Sequence, residues 1–262
     1  MTIGKGAAGI ATIGLIALTG FQGGGLHTES TNTKAGWIGS VSASYAQQTA
    51  ASIHLPSSFA RANLLVAVVA NDGPDSNSQD THAVFGGEKL SWVRRAHISA
   101  RQDWAVPPAT IDLAGASSAE IWTAAPPRGW SPGTVTEISN HPESASSVRD
   151  DGGVITIAAW SSGKLGQIAT VDGLASRPES QSFDTLMPGT VVAAVFNGRA
   201  NASFTPNGGY QTLAARRAGD DSAQIIVSTA KNLPAGIDQV GYLPTPSPGN
   251  YWEMAIAQVV PS

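Results

Sequence analysis

From residue 36 onward, apolar or alternating segments are separated by clusters of Gly, Pro, Asn and Asp about every ten residues, the spacing of an all-β sandwich. Residues 64–70 form an almost continuous apolar run, as expected of a central strand, and the turn signal 71–74 ends it. No stretch beyond residue 22 keeps a helical period for three turns. The pattern therefore predicts an all-β fold.

Four segments of the first part of the chain resemble four later segments in the same order. The matching pairs are 63–71 with 189–197, 86–96 with 208–218, 118–124 with 222–228, and 154–160 with 252–258. Each piece is a strand pattern with its turn, which predicts two copies of one β-meander packed as an antiparallel, jelly-roll-like β-sandwich. We expect Leu65–Val69 and Val191–Val195 to be central in their sheets. Because one copy alone would expose its apolar sheet face, we expect one domain over 36–262, with a pseudo-repeat at about 50–172 and 185–262.

Residues 1–35 are predicted to be an apolar arm and a Gly-rich linker. The apolar run 7–18 follows Lys5, which is the outline of a signal peptide, but no Ala-x-Ala site follows. The run is too short for a transmembrane helix, so no stable membrane span is expected. The alternatives are a cleaved signal or a retained assembly arm. We predict that residues 1–22 are retained and pack against a neighbouring subunit.

Composition narrows the partners. Only 13% of residues are charged, about half the usual share, which favours an extracellular or particle-bound protein. The net charge is −4 and there is no basic run, which argues against nucleic acid as a partner. Adjacent strand residues face opposite sides, so Arg94-Arg95 and Arg216-Arg217 are each expected to supply one outward charge. The absence of cysteine excludes disulfides, thiolate metal sites and a cysteine nucleophile.

The sequence shows no catalytic set, so we predict a non-enzymatic protein without cofactors. None of the five histidines has metal-ligand spacing, and neither a Gly-x-Ser-x-Gly motif nor a phosphate-binding loop occurs. The acidic pairs Asp150-Asp151 and Asp220-Asp221 are typical of solvated turns. A glycoside-acting enzyme would need two carboxyl groups that face one bond, and no such pair is evident.

One loop, residues 71–80, is rich in oxygen ligands. Asp72, Asp75 and Asp80 are its weak calcium candidates, because Ca²⁺ takes six to eight oxygen ligands. The loop lacks the EF-hand pattern, and the same residue types also build ordinary turns. We therefore predict no metal site.

The tryptophans are the side chains of greatest functional interest. Four fall in predicted strands and are expected in the core: Trp92, Trp122, Trp160 and Trp252. Trp104 and Trp130 fall in loops rich in Pro and Gly, which makes them the candidate ligand-binding residues. Three uses remain open for them: stacking on a sugar, contact with a protein in an assembly, and folding back as lids over the core.

The runs 63–73, 86–95, 119–124 and 154–160 resemble the β-sandwich domains of actinobacteriophage minor tail proteins and related secreted actinobacterial proteins. The resemblance covers about residues 50–260 and carries over no catalytic residue. It implies a virion structural protein of the phage tail, at the tail tip or in host-surface attachment. The implied partners are other tail proteins, further copies of the chain and a host cell-surface glycan. The alternative is a secreted bacterial carbohydrate-binding or adhesive β-sandwich module.

Overall fold

The computed structural model describes residues 36–46, 50–72, 82–99, 117–139, 152–174, 181–198, 205–218, 221–230, 233–241 and 251–262. Within these ranges the regular structure is β-strand, apart from the short 3₁₀ helix Ser57–Arg61. The predicted all-β class is confirmed.

Fifteen strands lie within the described ranges. The first eight are β1 (Trp37–Ala46), β2 (Ala50–His54), β3 (Leu64–Asp72), β4 (His82–Gly86), β5 (Val93–Ser99), β6 (Ser117–Ala124), β7 (Thr134–Ser139) and β8 (Gly152–Trp160). The other seven are β9 (Gly163–Leu174), β10 (Gln181–Thr185), β11 (Thr190–Gly198), β12 (Tyr210–Ala218), β13 (Asp221–Ser228), β14 (Gly236–Val240) and β15 (Tyr251–Pro261).

The strands form two large sheets and two smaller outer sheets. The first large sheet has the order β1-β8-β3-β6-β5, and the second large sheet has the order β9-β15-β11-β13-β12. The first outer sheet is β2-β7-β4, and the second outer sheet is β10-β14. The two large sheets have the same connectivity, so we call β1–β8 the first repeat and β9–β15 the second repeat. As expected, β3 and β11, which contain Leu65–Val69 and Val191–Val195, are the central strands.

The structure corrects the predicted organisation of each repeat. In each repeat the chain crosses several times between the large and the outer sheet, so each repeat is a two-sheet sandwich of jelly-roll type instead of a single meander. β9 pairs with β15 in the second large sheet, although its residues 167–171 were expected to complete the first copy. The boundary between the repeats therefore falls at residues 161–162 and not between 172 and 185.

Strand pairing also corrects two of the four sequence matches. Arg94 pairs with Trp122, whereas the residue that pairs with the corresponding Ile226 is Thr212. Arg94 thus matches Thr212 and not Arg216, and both β5 and β12 carry a bulge just after this position. In the last block the register differs by one residue, which would exchange the two faces of the strand.

The four sheets are stacked in layers with three apolar interiors. The largest, which we call the shared core, lies between the two large sheets and contains Val66 and Ile121 of the first repeat with Phe196 and Ile225 of the second. The other two lie between each large sheet and its outer sheet. Large-sheet strands are therefore buried on both faces, which explains continuous apolar runs such as 64–70.

The two large sheets pack with pseudo-two-fold symmetry. β1 packs over β12, and β9 packs over β5. These two contacts are equivalent, because β9 corresponds to β1 and β5 corresponds to β12. Likewise β8 packs over β13 and β15 over β6, while the central strands β3 and β11 pack on each other. The interface is thus built as in a symmetric dimer, within one chain.

The link between the repeats is short and firmly held. Asn63 makes a reciprocal pair of hydrogen bonds with the backbone of Gly163, at 3.0 Å and 2.9 Å. The backbone N–H of Ser161 donates to the carbonyl of Gly36 at 2.8 Å, and that of Ser262 donates to the carbonyl of Ser162 at 2.9 Å. Both ends of the described body therefore meet at the link.

Tyr210, the first residue of β12, makes the free energy of unfolding decrease at alkaline pH. Its buried hydroxyl donates a hydrogen bond to the carboxylate of Asp238. Burial, and then that hydrogen bond and the charge of Asp238, raise the pKa of Tyr210 far above its ordinary value of 10.0. The contribution of Tyr210 is therefore complete below the pKa of the unfolded chain and declines at higher pH, because only the unfolded state then loses the proton.

We expect Tyr210 to add about 1.4 kcal/mol per pH unit to the loss of unfolding free energy above about pH 10. Urea denaturation of the native chain and of Tyr210→Phe between pH 9 and 11 measures this. The variant should show a shallower decline. Equal slopes in the two proteins would contradict the assignment.

Candidate functional site

Trp130, one of the two predicted ligand-binding residues, lies in the core. Only 4% of its surface is exposed, and its indole packs in the apolar interior between the first large sheet and the first outer sheet. Its backbone N–H donates to the carbonyl of Pro127 at 3.0 Å, which closes a turn that folds the side chain inward. Trp130 thus takes the place of a lid over the core and offers no exposed face for stacking.

The other predicted site residues lie outside the described residues. Trp104, Asp75 and Asp80 belong to the connections 100–116 and 73–81. Asp72 is the last residue of β3, and only its backbone is described. Within the described ranges, no group of three or more His, Asp or Glu side chains could hold a metal ion.

Strand register places these connections at one end of the first repeat. Asp72, which ends β3, pairs with Ser117, which begins β6, and with Gly152, which begins β8. His82 at the start of β4 likewise pairs with Ser139 at the end of β7. The connections 73–81, 100–116 and 140–151 therefore all leave from this end, which we call the loop end.

Two buried polar contacts lie near the loop end. The Tyr45 hydroxyl donates to the Asn71 side-chain carbonyl at 2.8 Å, and both residues are buried. Between the two large sheets, the Ser117 hydroxyl contacts both carboxylate oxygens of the fully buried Glu253 at 2.8 Å and 2.9 Å. The equivalent of Glu253 in the first repeat is Val154, so this contact between the repeats has no counterpart at the pseudo-symmetric position.

The best-formed polar constellation is the Glu120 cluster, which consists of Glu120, Arg94, His97 and Trp122. Glu120 and Trp122 are two residues apart on β6, so their side chains lie on the same face of the strand. On the neighbouring strand β5, His97 pairs with Glu120 and Arg94 pairs with Trp122. The Trp122 indole N–H donates to Glu120 Oε2 at 2.5 Å. The other oxygen, Oε1, lies 3.8 Å from an Arg94 guanidinium nitrogen and 3.6 Å from His97 Nε2.

The Glu120 cluster is buried at its centre and accessible to solvent at its edge. Glu120 is fully buried, whereas the side chains of Arg94 and His97 are 41% and 29% exposed. The Arg94 guanidinium also lies 5.6 Å from the centre of the Trp122 ring. This edge could donate hydrogen bonds to a ligand that bears hydroxyl or carboxylate groups. The same contacts also have a structural effect, because they compensate the buried carboxylate.

The expectation that Arg94 and Arg95 supply only one outward charge is wrong. Both residues are exposed, because β5 is an edge strand and carries a bulge between Arg94 and Ala96. Arg95 Nε donates to the Thr123 hydroxyl at 2.8 Å. Charged residues and a bulge are also how proteins protect an edge strand against pairing with another chain.

Sequence reasoning missed Glu120 and a second buried carboxyl group, Glu137. Glu137 lies on β7, where it pairs with Ala51 and Val84, and is fully buried. It alternates with the core residue Val135, so it faces the same interior as Glu120. The acidic pairs that the sequence displays are adjacent in the chain, whereas Glu120 and Glu137 lie on different sheets. The available signal was a single carboxylate in the middle of each strand pattern.

The second repeat carries an exposed apolar surface, which we call the apolar patch: Leu186, Met187 and Ile237. Their exposed fractions are 69%, 46% and 76%. Ile237 pairs with Asp184, and Leu186 lies two residues after Asp184, directly after the last ladder pair, Thr185 with Gly236. In the first repeat, the corresponding connection after β2 forms the 3₁₀ helix and buries Phe59 to 1%. The second repeat has a shorter connection and leaves its apolar residues in water.

Comparisons with known proteins give no relative: no family model, no curated protein and no solved structure matches this chain. Among the described residues, no helix is long and apolar enough to cross a membrane.

Proposed function

We propose that this chain is a non-enzymatic structural protein of a phage particle, a minor tail protein that contributes to tail-tip assembly or host-surface attachment. The observation that carries the proposal is the apolar patch. Large apolar side chains that cluster on the surface of a well-buried body mark protein–protein contacts. The proposed partners are other tail proteins and further copies of this chain.

The architecture supports a role in assembly. Jelly-roll sandwiches occur in viral capsid proteins and in lectins, although a fold by itself does not determine a function. The segments that resemble minor tail proteins include β3, β6 and β8, which are strands of the first large sheet. Two similar repeats in one chain present two related outer surfaces, and repetition in a symmetric particle adds avidity.

A second candidate is a secreted carbohydrate-binding module, and the Glu120 cluster is the observation that favours it. Its accessible Arg94 and His97 side chains could donate hydrogen bonds to sugar hydroxyl or carboxylate groups. Such a surface is also compatible with host attachment by a tail protein. The two candidates differ in where the protein is found.

Mass spectrometry of purified particles and of the producing culture's supernatant tests the proposal. We expect peptides of the chain to co-purify with intact particles through a density gradient, at a constant ratio to the major tail protein. Intact-mass measurement of the same material should show residues 1–22 retained. Recovery from the supernatant alone, with a start near residue 20, would replace the tail assignment with the secreted module.

A further inference from the structure

The apolar patch has a matched counterpart that shows it is not an unavoidable feature of the fold. In the first repeat, Leu55 and Phe59 of the corresponding connection are each 1% exposed. In the second repeat, Leu186 and Met187 of the shorter connection are 69% and 46% exposed. The backbone beside them is well anchored, since the Gln258 side-chain amide donates to the carbonyl of Met187 at 2.5 Å. The patch is thus presented on an ordered frame.

The N-terminal segment leaves the body at the end where the patch lies. Gly36, the first described residue, accepts hydrogen bonds from Ser161 at the link between the repeats. The link lies at the end where β11 begins, opposite to the loop end. The patch lies at that end too, because Gly189, directly before β11, pairs with Leu233 near the start of β14.

We propose that the apolar run 7–18 of one copy binds the apolar patch of a second copy. This inference rests on the proposed function, because exchange between copies is the arrangement that builds an assembly. The run supplies Ile10, Ile13, Leu15, Ile16 and Leu18, whose burial against the patch would remove apolar surface of both partners from water. The intervening residues 19–35 can extend over about 55 Å, at about 3.3 Å per residue. That length allows the run to reach a neighbouring body.

Photo-crosslinking on the full chain tests the inference. A benzoylphenylalanine at position 237 is tolerated because the side chain there is 76% exposed. Equal amounts of isotope-labelled and unlabelled full-length chains are mixed, irradiated and mapped by mass spectrometry. We expect cross-links from position 237 to peptides that contain residues 7–18, with one labelled and one unlabelled partner. Cross-links within one chain only, cross-links to other segments only, or none would overturn the inference.

A matched pair of variants gives a second, independent measurement. The double variant Leu186→Ser, Ile237→Thr makes the patch polar, and the control Phe85→Ser changes an exposed aromatic residue of the first outer sheet that is 44% exposed. By analytical ultracentrifugation, we expect the patch variant to self-associate at least about tenfold more weakly and the control to stay within about twofold of the native chain. Equal association of a patch variant whose melting temperature is unchanged would overturn the proposal.

The outcomes separate this inference from the proposed function. A chain that co-purifies with particles but gives no cross-link from position 237 to 7–18 is a particle protein that assembles through another surface. A chain that exchanges its run between copies but is absent from particles forms a self-assembling protein outside the tail. The first result overturns the inference alone, and the second overturns the function alone.

Discussion

Replacing Trp130 with alanine is expected to lower the free energy of unfolding by about 3–5 kcal/mol. The indole is 4% exposed and packs against residues of both the first large sheet and the first outer sheet, so its removal leaves a cavity between two layers. Chemical denaturation at neutral pH measures the loss. A binding surface residue would behave differently, with little change in stability and weaker attachment to a host glycan.

Trp130→Phe is the matched control. The indole N–H of Trp130 has no hydrogen-bond partner among the described residues, so phenylalanine removes an unpaired donor while it keeps a ring in the cavity. We expect a smaller loss, about 1–2 kcal/mol. An alanine variant as stable as the native chain would contradict the assignment of Trp130 to the core.

Replacing Phe196 with alanine is expected to destabilise both repeats, by about 3–5 kcal/mol. Phe196 belongs to β11 of the second repeat and is fully buried in the shared core. Because the first large sheet is buried against the same core, loss of this ring weakens the packing of the first repeat as well. Native-state hydrogen exchange should show equal losses of protection in β3 and β11.

Phe183→Ala provides the comparison for Phe196. Phe183 is 3% exposed and packs in the interior between the second large sheet and its outer sheet, away from the first repeat. If the chain unfolds in one step, this variant too should lower protection throughout both repeats. Loss of protection confined to the second repeat, for either variant, would show two independently stable units.

Much of the frame could be predicted from the apolar pattern. The run 64–70 correctly predicted a central strand, and the repeat in the sequence correctly predicted two equivalent halves. The same run also indicates how many faces of the strand are buried. A strand with one face in water alternates, whereas β3 is apolar at successive positions because the shared core covers one face and the first outer sheet covers the other. The run therefore indicates a layer on each side of the first large sheet, whereas the predicted sandwich has two layers in total.

The errors in register have a local physical cause. Sequence similarity matches Arg94-Arg95 with Arg216-Arg217, but the strand pairing matches Arg94 with Thr212. The bulges in β5 and β12 lie at equivalent positions, so the shift arises in the segments before these strands, which differ in length. Pairing across strands determines equivalence in a sheet, and a single sequence does not display it.

The candidate site was less predictable than the frame. Trp130 lies between Pro and Gly, which indicates a loop, but a loop residue can still be buried when its turn points inward. Glu120 becomes interesting only when β5 pairs with β6, because Arg94 and His97 approach it from the neighbouring strand. Such contacts depend on which strands are neighbours, and local patterns do not report that.

The link between the repeats would allow the order of the two repeats along the chain to be changed. Gly36 and Ser262 are both hydrogen-bonded to the linking serines, Ser161 and Ser162. A short bridge from residue 262 back to residue 36 would thus close the body into a ring, and the ring could be cut at the link instead. The resulting circular permutant would begin with the second repeat and end with the first while every strand kept its neighbours. The fold itself therefore does not require the order of the two repeats along the chain.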